Sequence, residues 1–307
     1  MPLPIARLHL TARAEAPLSL PPYAGSMLRG AWGHALLALA PLPHSSGQPC
    51  ALHASCPYCQ VFAPPALPAH GLQKFSQMPA PYVIEPPTGG ARRLAPGETF
   101  SFSLVLIGQA LAHLPTLLLA WERALHTGLG LQHSRCALLE IIDETSLLPL
   151  TDHGRQLSIL NRPTPLARPL GQHATLELLS PLRLQQQGKP AKAHNLNART
   201  LLVTLARRWQ LLQDVALGAD APQQDFAHIT AQASAITLHG ENLRWFDWGR
   251  FSQHQQQEMQ WGGLLGSVHL TGDLSPFAPL LHLGQWLHVG KNASFGLGGY
   301  RLSASAA

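Results

Sequence analysis

The sequence predicts an α+β protein built from two tandem units, each with the strand–helix–strand–strand–helix–strand (βαββαβ) order of a ferredoxin-like, or RRM-like, domain. Two observations support this prediction. Each half of the 307 residues opens with an alternating strand and a long helix, and each half closes with an apolar strand, a helix, a glycine-containing turn and a last short strand. The length also suits two domains of ordinary size better than one core.

The first half opens with an alternating strand over 5–10, and a proline-rich loop leads from it to a helix over 26–39. A strongly apolar strand follows at 102–108. A helix over 111–126 then leads through a glycine-containing turn to the strand 136–141. The third strand of each half is harder to place.

The second half repeats this order. Its elements are strand segments at 176–179 and 181–184, a helix over 197–213, a strand at 267–272, a helix over 274–287 and a last strand at 300–302. Asn195 or Asn197 is the predicted N-cap of the first helix. For the remaining strand there are two candidates, 234–238 and 243–248.

Composition changes mark the domain boundaries. The N-terminal domain is predicted over 1–149, with a long insertion at 41–99 that is rich in proline, glycine and alanine and holds three of the four cysteines. A linker over 150–172 leads to the C-terminal domain over 173–307. That domain carries a helical excursion around 215–232 and ends in a glycine-rich loop.

The charge balance favours a nucleic-acid partner. The formal charge is +5, and arginine far outnumbers lysine, which occurs only four times. Arginine makes planar bidentate contacts to phosphate and stacks on bases. No apolar run reaches the roughly 18–20 residues that a membrane-spanning helix needs, and the first residues do not have the pattern of a secretory signal. We therefore expect a cytoplasmic protein with reduced cysteines and no membrane partner.

The glycine-rich segment near the end, 287–302, indicates contact with phosphate. It is not a Walker loop, because its Gly-Lys pair comes first, and it is not a dinucleotide fingerprint, because its glycines lead into a strand. The predicted RNA contacts in this segment are Gly290, Lys291, Asn292, Ser294, Gly296 and Gly298. A tight helix-to-strand connection is the alternative interpretation.

Five segments together resemble a known family. They are Y-A-G-S-M-L-R-G-A-W-G-H-A-L at 23–36, the cysteine segment at 50–62, P-Y-V-I-E-P-P at 81–87, D-W-G-R-F-S-Q-H-Q at 247–255, and H-V-G-K-N-A-S-F-G-L-G at 288–298. In this order they resemble the CRISPR repeat-processing endoribonucleases, members of the repeat-associated (RAMP) RNA-binding proteins. These enzymes cut precursor CRISPR RNA within each repeat.

The resemblance implies a metal-independent endoribonuclease without a cofactor. A 2′-hydroxyl attacks its own phosphate, so the reaction needs a base, donors for the phosphorane and an acid for the leaving oxygen. The implied partners are CRISPR repeat RNA, as precursor and mature crRNA, and other subunits of an effector complex. A non-catalytic crRNA-binding subunit of such a complex is the alternative.

Three residues of the first-helix segment are the predicted catalytic residues. His34 is the candidate base, because an imidazole titrates near neutrality. Arg29 is the candidate for binding the scissile phosphate, and Tyr23 the candidate for orienting the sugar. His44 and His288 are rival bases.

Two further groups are predicted to bind RNA. One is the polar string after the tryptophans of the second half: Arg250, Ser252, His254 and Gln255, where the family more often has arginine at the position of His254. The other lies on and before the helix of the second half: Lys189, Lys192, Arg199, Arg207 and Arg208. Their spacing places Arg199 near Arg207 along one helix face.

The cysteines Cys50, Cys56 and Cys59, with His53 between them, have ligand types that suit zinc. Their tight spacing is awkward for one tetrahedral site, and the upstream cysteines of the family pattern are missing, which leaves only His44 nearby. The sequence therefore favours no metal site, with a structural zinc site as the alternative. Cys136 is predicted to lie in the core.

Overall fold

The computed structural model describes residues 3–41, 44, 50–64, 78–150, 164–186, 188–252 and 257–304, and at 248–252 and 257–261 it describes the backbone alone. The chain forms two compact units, Met1–Pro163 and Thr164–Ala307. In the described part of the chain, no helix is both long enough and apolar enough to cross a membrane.

The first unit is a four-stranded antiparallel sheet with two helices. Its elements are β1 (Ile5–Ala14), β2 (Leu18–Leu20), α1 (Gly25–Ala38), a π-helical turn (Tyr58–Phe62), β3 (Tyr82–Glu85), β4 (Arg92–Leu94), β5 (Thr99–Ile107), a 3-10 turn (Gly108–His113), α2 (Leu114–Thr127) and β6 (Cys136–Asp143). The sheet order is β3-β5-β1-β6, which is the ferredoxin-like order. Strands β2 and β4 form a separate two-stranded antiparallel sheet.

The alternation in β1 explains where the core lies. Leu8, Leu10 and Ala12 are fully buried, whereas the residues between them face the other side of the sheet. Helices α1 and α2 pack on the buried face. There the rings of Trp32 and Trp121 stack with centroids 5.5 Å apart.

The stretch predicted as an insertion at 41–99 contributes to the domain itself. Strand β3 pairs with β5, with Tyr82 opposite Leu106, and is the second strand of the βαββαβ order. Only four residues long and buried at Tyr82, Val83 and Ile84, it lacks the alternation that marks a half-exposed strand. The sequence therefore placed it outside the sheet.

The second unit repeats the arrangement. Its elements are β7 (His173–Leu182), β8 (Gln185–Gln186), β9 (Lys189–Pro190), α3 (Ala198–Leu217), a 3-10 turn (Gly218–Asp220), α4 (Phe226–Ser234), β10 (Thr237–Ser252), β11 (Gln257–Thr271), a 3-10 turn (Ser275–Phe277), α5 (Ala278–Leu287), a 3-10 turn (Ala293–Phe295) and β12 (Tyr300–Ala304). The sheet order β10-β11-β7-β12 is again ferredoxin-like. The predicted fold class is confirmed.

Two strand predictions of the second unit need correction. The candidates 234–238 and 243–248 are one strand, β10, interrupted by a register shift between Glu241 and Arg244. Asn242 has a φ of 50°, so the alternation breaks there and the strand is read as two pieces. The segments 176–179 and 181–184 likewise belong largely to the single strand β7.

Candidate functional site

The exposed face of α1 carries His34. Met27 lies seven residues before it and Gly30 four residues before it, so all three lie along the same face of the helix. His34 is exposed. A Cβ atom at Gly30 would have no other atom within 4 Å, so the surface one turn before the imidazole is open.

Arg29 points away from His34. Its Nε donates a hydrogen bond to the Tyr82 hydroxyl at 2.8 Å, and its guanidinium carbon lies 4.2 Å from the centre of the Phe62 ring. Five residues separate Arg29 from His34, which is about 140° around a helix. The guanidinium is therefore held on the side of α1 that faces β3 and the π-helical turn.

Tyr23 lies just before α1. Burial and the negative charge of Glu85 raise its pKa well above the usual value, so the phenol stays protonated at neutral pH and can donate a hydrogen bond. Tyr23 precedes the first residue of α1, whereas Arg29 and His34 point to different sides of the helix. A joint role of the three residues at one phosphate stays a prediction.

The two rival histidines have structural contacts. His288 is 4% exposed, and its Nδ1 lies 3.0 Å from the carbonyl oxygen of Gly296, to which it donates. The Nε2 of His44 lies 3.2 Å from the Sγ of Cys59. Neither imidazole is as exposed to solvent as that of His34.

A groove of about 420 Å³ between α1 and α2 was missed by the sequence analysis. It is lined by Ala35, Ala38, Leu119, Glu122, Arg123, His126 and Thr127. Ala35 and Ala38 of the lining follow His34 in α1 by one and four residues, while His34 itself is not part of the lining. Arg123 and His126 are exposed and lie three residues apart on α2. In the sequence, the three-residue spacing of these two side chains on an amphipathic helix was the pattern that could have indicated the groove.

The glycine-rich loop after α5 holds itself together with its own backbone. Many of its N–H groups donate within the unit: Val289 to Gly298, Lys291 to Arg183, Phe295 to Asn292, Gly296 to Ala293 and Gly298 to Pro181. The N–H of Gly299 donates to Ser180 Oγ at 2.8 Å, and that hydroxyl donates to the carbonyl of Gly296 at 2.6 Å. These backbone N–H groups are therefore already hydrogen-bonded within the unit.

Packing explains two of the glycines. Gly298 has a φ of 74°, and a Cβ there would overlap the carbonyl oxygen of Val289. Gly290 has a φ of 99°, and its Cβ would lie 2.5 Å from the carbonyl oxygen of Arg183. A role of Gly290, Gly296 and Gly298 in RNA binding stays a prediction, and the side chains of Lys291, Asn292 and Ser294 are the loop's more accessible groups.

The basic residues predicted on α3 differ in their exposure. Arg199 and Arg207 are exposed. In contrast, Arg208 donates from Nε to the carbonyl of Leu287 at 2.7 Å, where its charge complements the C-terminal end of α5. This contact caps α5, whose chain leaves the helical conformation at His288.

The lysines before α3 differ in the same way. Lys189 is exposed in β9. The Nζ of Lys192 lies 3.0 Å from the centre of the Trp245 ring, a cation–π contact that ties the loop to β10. Arg250 and Ser252 lie in β10, where only their backbone is described, and His254 and Gln255 lie outside the described residues.

The cysteine segment folds back on itself. The potential ligand atoms of His44, Cys50, Cys56 and Cys59 all lie within 4.8 Å of one another. Burial, together with the Cys56 thiol, raises the pKa of Cys59 to about 12, so a bare thiol there is a poor nucleophile. Cys136 is buried in β6, as predicted.

Comparison with known proteins defines the class. Residues 3–163 match the family of AF_1859 N-terminal domains, and residues 176–300 match the family described as CRISPR-associated endoribonuclease Cas6. No curated protein matches the chain.

Solved structures share the fold. The chain aligns over 99% of its length with a Cas6 (TTHB231) product complex, at 16% identity and a TM-score of 0.63, covering 100% of that chain. It aligns with Thermus thermophilus Cas6 (TTHB231) at 14% identity and a TM-score of 0.55, with 99% of this chain and 100% of that chain covered. It also aligns over 99% of its length with a partial Cas6-RT-Cas1–Cas2 complex, at 16% identity and a TM-score of 0.58, but there it covers 46% of the other chain.

The chain therefore consists of two tandem ferredoxin-like units, the second of which matches a CRISPR-associated endoribonuclease family. Residues 3–163 therefore belong to the family of AF_1859 N-terminal domains, and the C-terminal domain matches the CRISPR-associated endoribonuclease Cas6 family over 176–300. The resemblance seen in the sequence is thereby confirmed.

Proposed function

We propose that the protein cleaves precursor CRISPR RNA within the repeat, without a catalytic metal, and that His34 is the general base. The observation that supports this most strongly is the contrast among the three candidate histidines. His34 is exposed beside an open stretch of α1, whereas His44 contacts cysteine sulfurs and His288 is buried.

The chemistry needs only proton transfer and charge stabilisation. The base removes the proton of a 2′-hydroxyl, and the 2′-oxygen bonds to the adjacent phosphorus. The bond from phosphorus to the 5′-oxygen then breaks, and that oxygen receives a proton. The products are a 2′,3′-cyclic phosphate and a 5′-hydroxyl, and no oxidant, reductant or added water enters this step.

We propose that two side chains of α2 assist His34. Arg123 and His126 line the groove between α1 and α2, and they would meet the extra negative charge of the phosphorane. Arg29 and Tyr23 lie elsewhere along and around α1. We propose that these two bind nucleotides flanking the scissile phosphate, Arg29 by its charge and Tyr23 as a hydrogen-bond donor.

We propose that the second unit binds the repeat RNA. Lys291, Asn292 and Ser294 display charge and hydrogen-bonding groups on a loop whose backbone is fixed, and Arg199, Arg207 and Lys189 add exposed charge. Contacts of this kind position RNA through its phosphates and shape rather than through its sequence. We propose that the protein stays bound to the processed RNA and carries it into an effector complex.

A cleavage assay in EDTA tests the activity. We expect repeat RNA to be cut at one position in buffer that contains EDTA and no divalent cation. The upstream product should carry a 2′,3′-cyclic phosphate, which resists phosphatase until acid opens it to a phosphomonoester. A repeat RNA with a 2′-deoxynucleotide before the cleavage site is the matched control and should stay intact. Tight binding without cutting would instead support the non-catalytic crRNA-binding subunit.

Changing Lys291 to Ala tests whether this residue contacts a phosphate of the repeat RNA. Each lost phosphate contact should reduce the slope of log affinity against log salt by about 0.7–0.9, and affinity should fall at low salt more than at high salt. The measurement is filter binding or anisotropy with non-cleavable repeat RNA over a salt series.

Arg301→Ala is the charge-matched control, because Arg301 already pairs with Glu177 at 3.3 Å. It should leave the salt slope unchanged. An equal loss of slope in both variants would mean that Lys291 contributes only general charge.

A further inference from the structure

The N-terminal unit contains a cluster of one imidazole and three thiols. The Nε2 of His44 lies 3.2 Å from Cys59 Sγ and 3.6 Å from Cys56 Sγ, and the Sγ of Cys50 completes a group whose ligand atoms are all within 4.8 Å of one another. Zinc with bonds of about 2.3 Å to sulfur and 2.0–2.1 Å to nitrogen, in tetrahedral geometry, requires about 3.8 Å between sulfurs and about 3.5 Å from nitrogen to sulfur. The spacing of the cluster is close to that requirement.

The fourth member is not the histidine that the sequence pattern offered. His53, between Cys50 and Cys56, is exposed; its N–H donates to the Cys50 carbonyl at 3.0 Å, and its carbonyl accepts from Gln60 Nε2 at 2.7 Å. Those bonds form a tight turn. The turn brings Cys50 to Cys56 and Cys59 and leaves the His53 ring outside, while His44 enters from six residues before Cys50.

Local structure fixes the two inner cysteines. The N–H of Cys56 donates to Leu52 at 2.8 Å, and the Cys56 carbonyl accepts from Gln60 at 2.9 Å, so the C-x2-C pair lies at the start of the π-helical turn. Cys56 is 0% exposed and Cys59 is 9% exposed. All of the described cysteines are free thiols rather than disulfides.

We propose that His44, Cys50, Cys56 and Cys59 bind one Zn²⁺ ion in a closed, structural site. Three thiolates and one imidazole are the soft and borderline ligands that select zinc over magnesium or calcium. Four protein ligands leave no position for water or substrate, so the ion takes no part in cleavage. This inference does not depend on the proposed function.

The site would fix a segment that supports α1. The Tyr58 ring lies 5.1 Å from the His44 ring and 5.2 Å from the Phe62 ring. Phe62 in turn lies against Trp32 of α1, with centroids 5.9 Å apart, and under the guanidinium of Arg29. Because the free energy of metal binding is coupled to folding, loss of zinc should loosen this chain of contacts from the turn to α1.

Metal content and cobalt spectroscopy test the site. Protein purified from zinc-supplemented medium should contain about one equivalent of zinc per chain, released by a mercurial reagent that blocks thiols. Cobalt-exchanged protein should show the intense visible absorption of a tetrahedral site together with thiolate-to-metal charge transfer. Cys56→Ser and Cys59→Ser should lose most of the zinc, and His44→Ala should bind it more weakly.

The control is Cys136→Ser, the same substitution at a buried cysteine outside the cluster, which should keep its zinc. The cobalt spectrum of the unchanged protein decides the matter even if the variants do not fold. A weak octahedral spectrum, metal-free protein that keeps the full melting temperature, or a disulfide between two of these cysteines would each overturn the proposal. None of these readouts uses RNA, so they are independent of whether the protein cleaves it.

Discussion

Changing His34 to Ala should reduce the rate of repeat cleavage by about 10²- to 10⁴-fold, the usual contribution of a general acid–base group. Affinity for the repeat should stay nearly unchanged, because the proposed phosphate contacts lie on other residues. His34 is exposed, so its removal leaves no cavity in the core. The measurement is single-turnover cleavage with protein in excess, alongside binding of the same RNA.

His228→Ala is the matched control, since His228 is an exposed helix histidine of α4 in the other unit. It should cleave at the unchanged rate. If His34→Ala cleaves normally, the base lies elsewhere, and His126 of the groove becomes the next position to change.

Changing Trp32 to Ala should lower the free energy of unfolding by about 3–5 kcal/mol, the range for removing a large buried aromatic side chain. Trp32 is 0% exposed, stacks on Trp121 and meets Tyr82 edge-on at 4.9 Å. Its indole N–H also donates to the carbonyl of Leu117 at 3.1 Å. The substitution therefore leaves a cavity between α1, α2 and β3 and removes a buried hydrogen bond.

Urea denaturation followed by circular dichroism measures this loss. Leu119→Ala is the control: Leu119 is a 42% exposed residue of α2, and its truncation should change stability by less than about 0.5 kcal/mol. An equally small effect for Trp32→Ala would mean that the stacked pair is not a core contact. Trp32→Phe, which keeps an aromatic ring, should fall between the two.

Strand and helix order was predictable because it depends on local periodicity. The alternation of Leu8, Leu10 and Ala12 marks one buried face without knowledge of any partner strand. Strand β3 was not predictable in this way, because both of its faces are covered and its short apolar run shows no alternation. The long strand β10 was divided because the bulge at Asn242 interrupts its pattern.

The candidate site shows the same division. The type and position of His34 were evident from the sequence, since an imidazole on a helix within a recognisable segment suits proton transfer. The side-chain contacts of the other predicted catalytic residues were not evident. Arg29 turns toward Tyr82 and Phe62, which are 53 and 33 residues away in the chain, and no periodic pattern encodes such contacts.

By itself, the sequence determined the duplicated βαββαβ order and the resemblance to the family. Tertiary structure alone decided which groups meet: His44 rather than His53 joins the cysteines, Arg208 caps α5, and N–H groups of the glycine loop donate to carbonyl oxygens of the loop and of residues 181 and 183. The physical reason is the distance along the chain over which each kind of interaction acts. Periodicity and turn chemistry act within a few residues, whereas a site is built from side chains that become neighbours only when distant segments pack together.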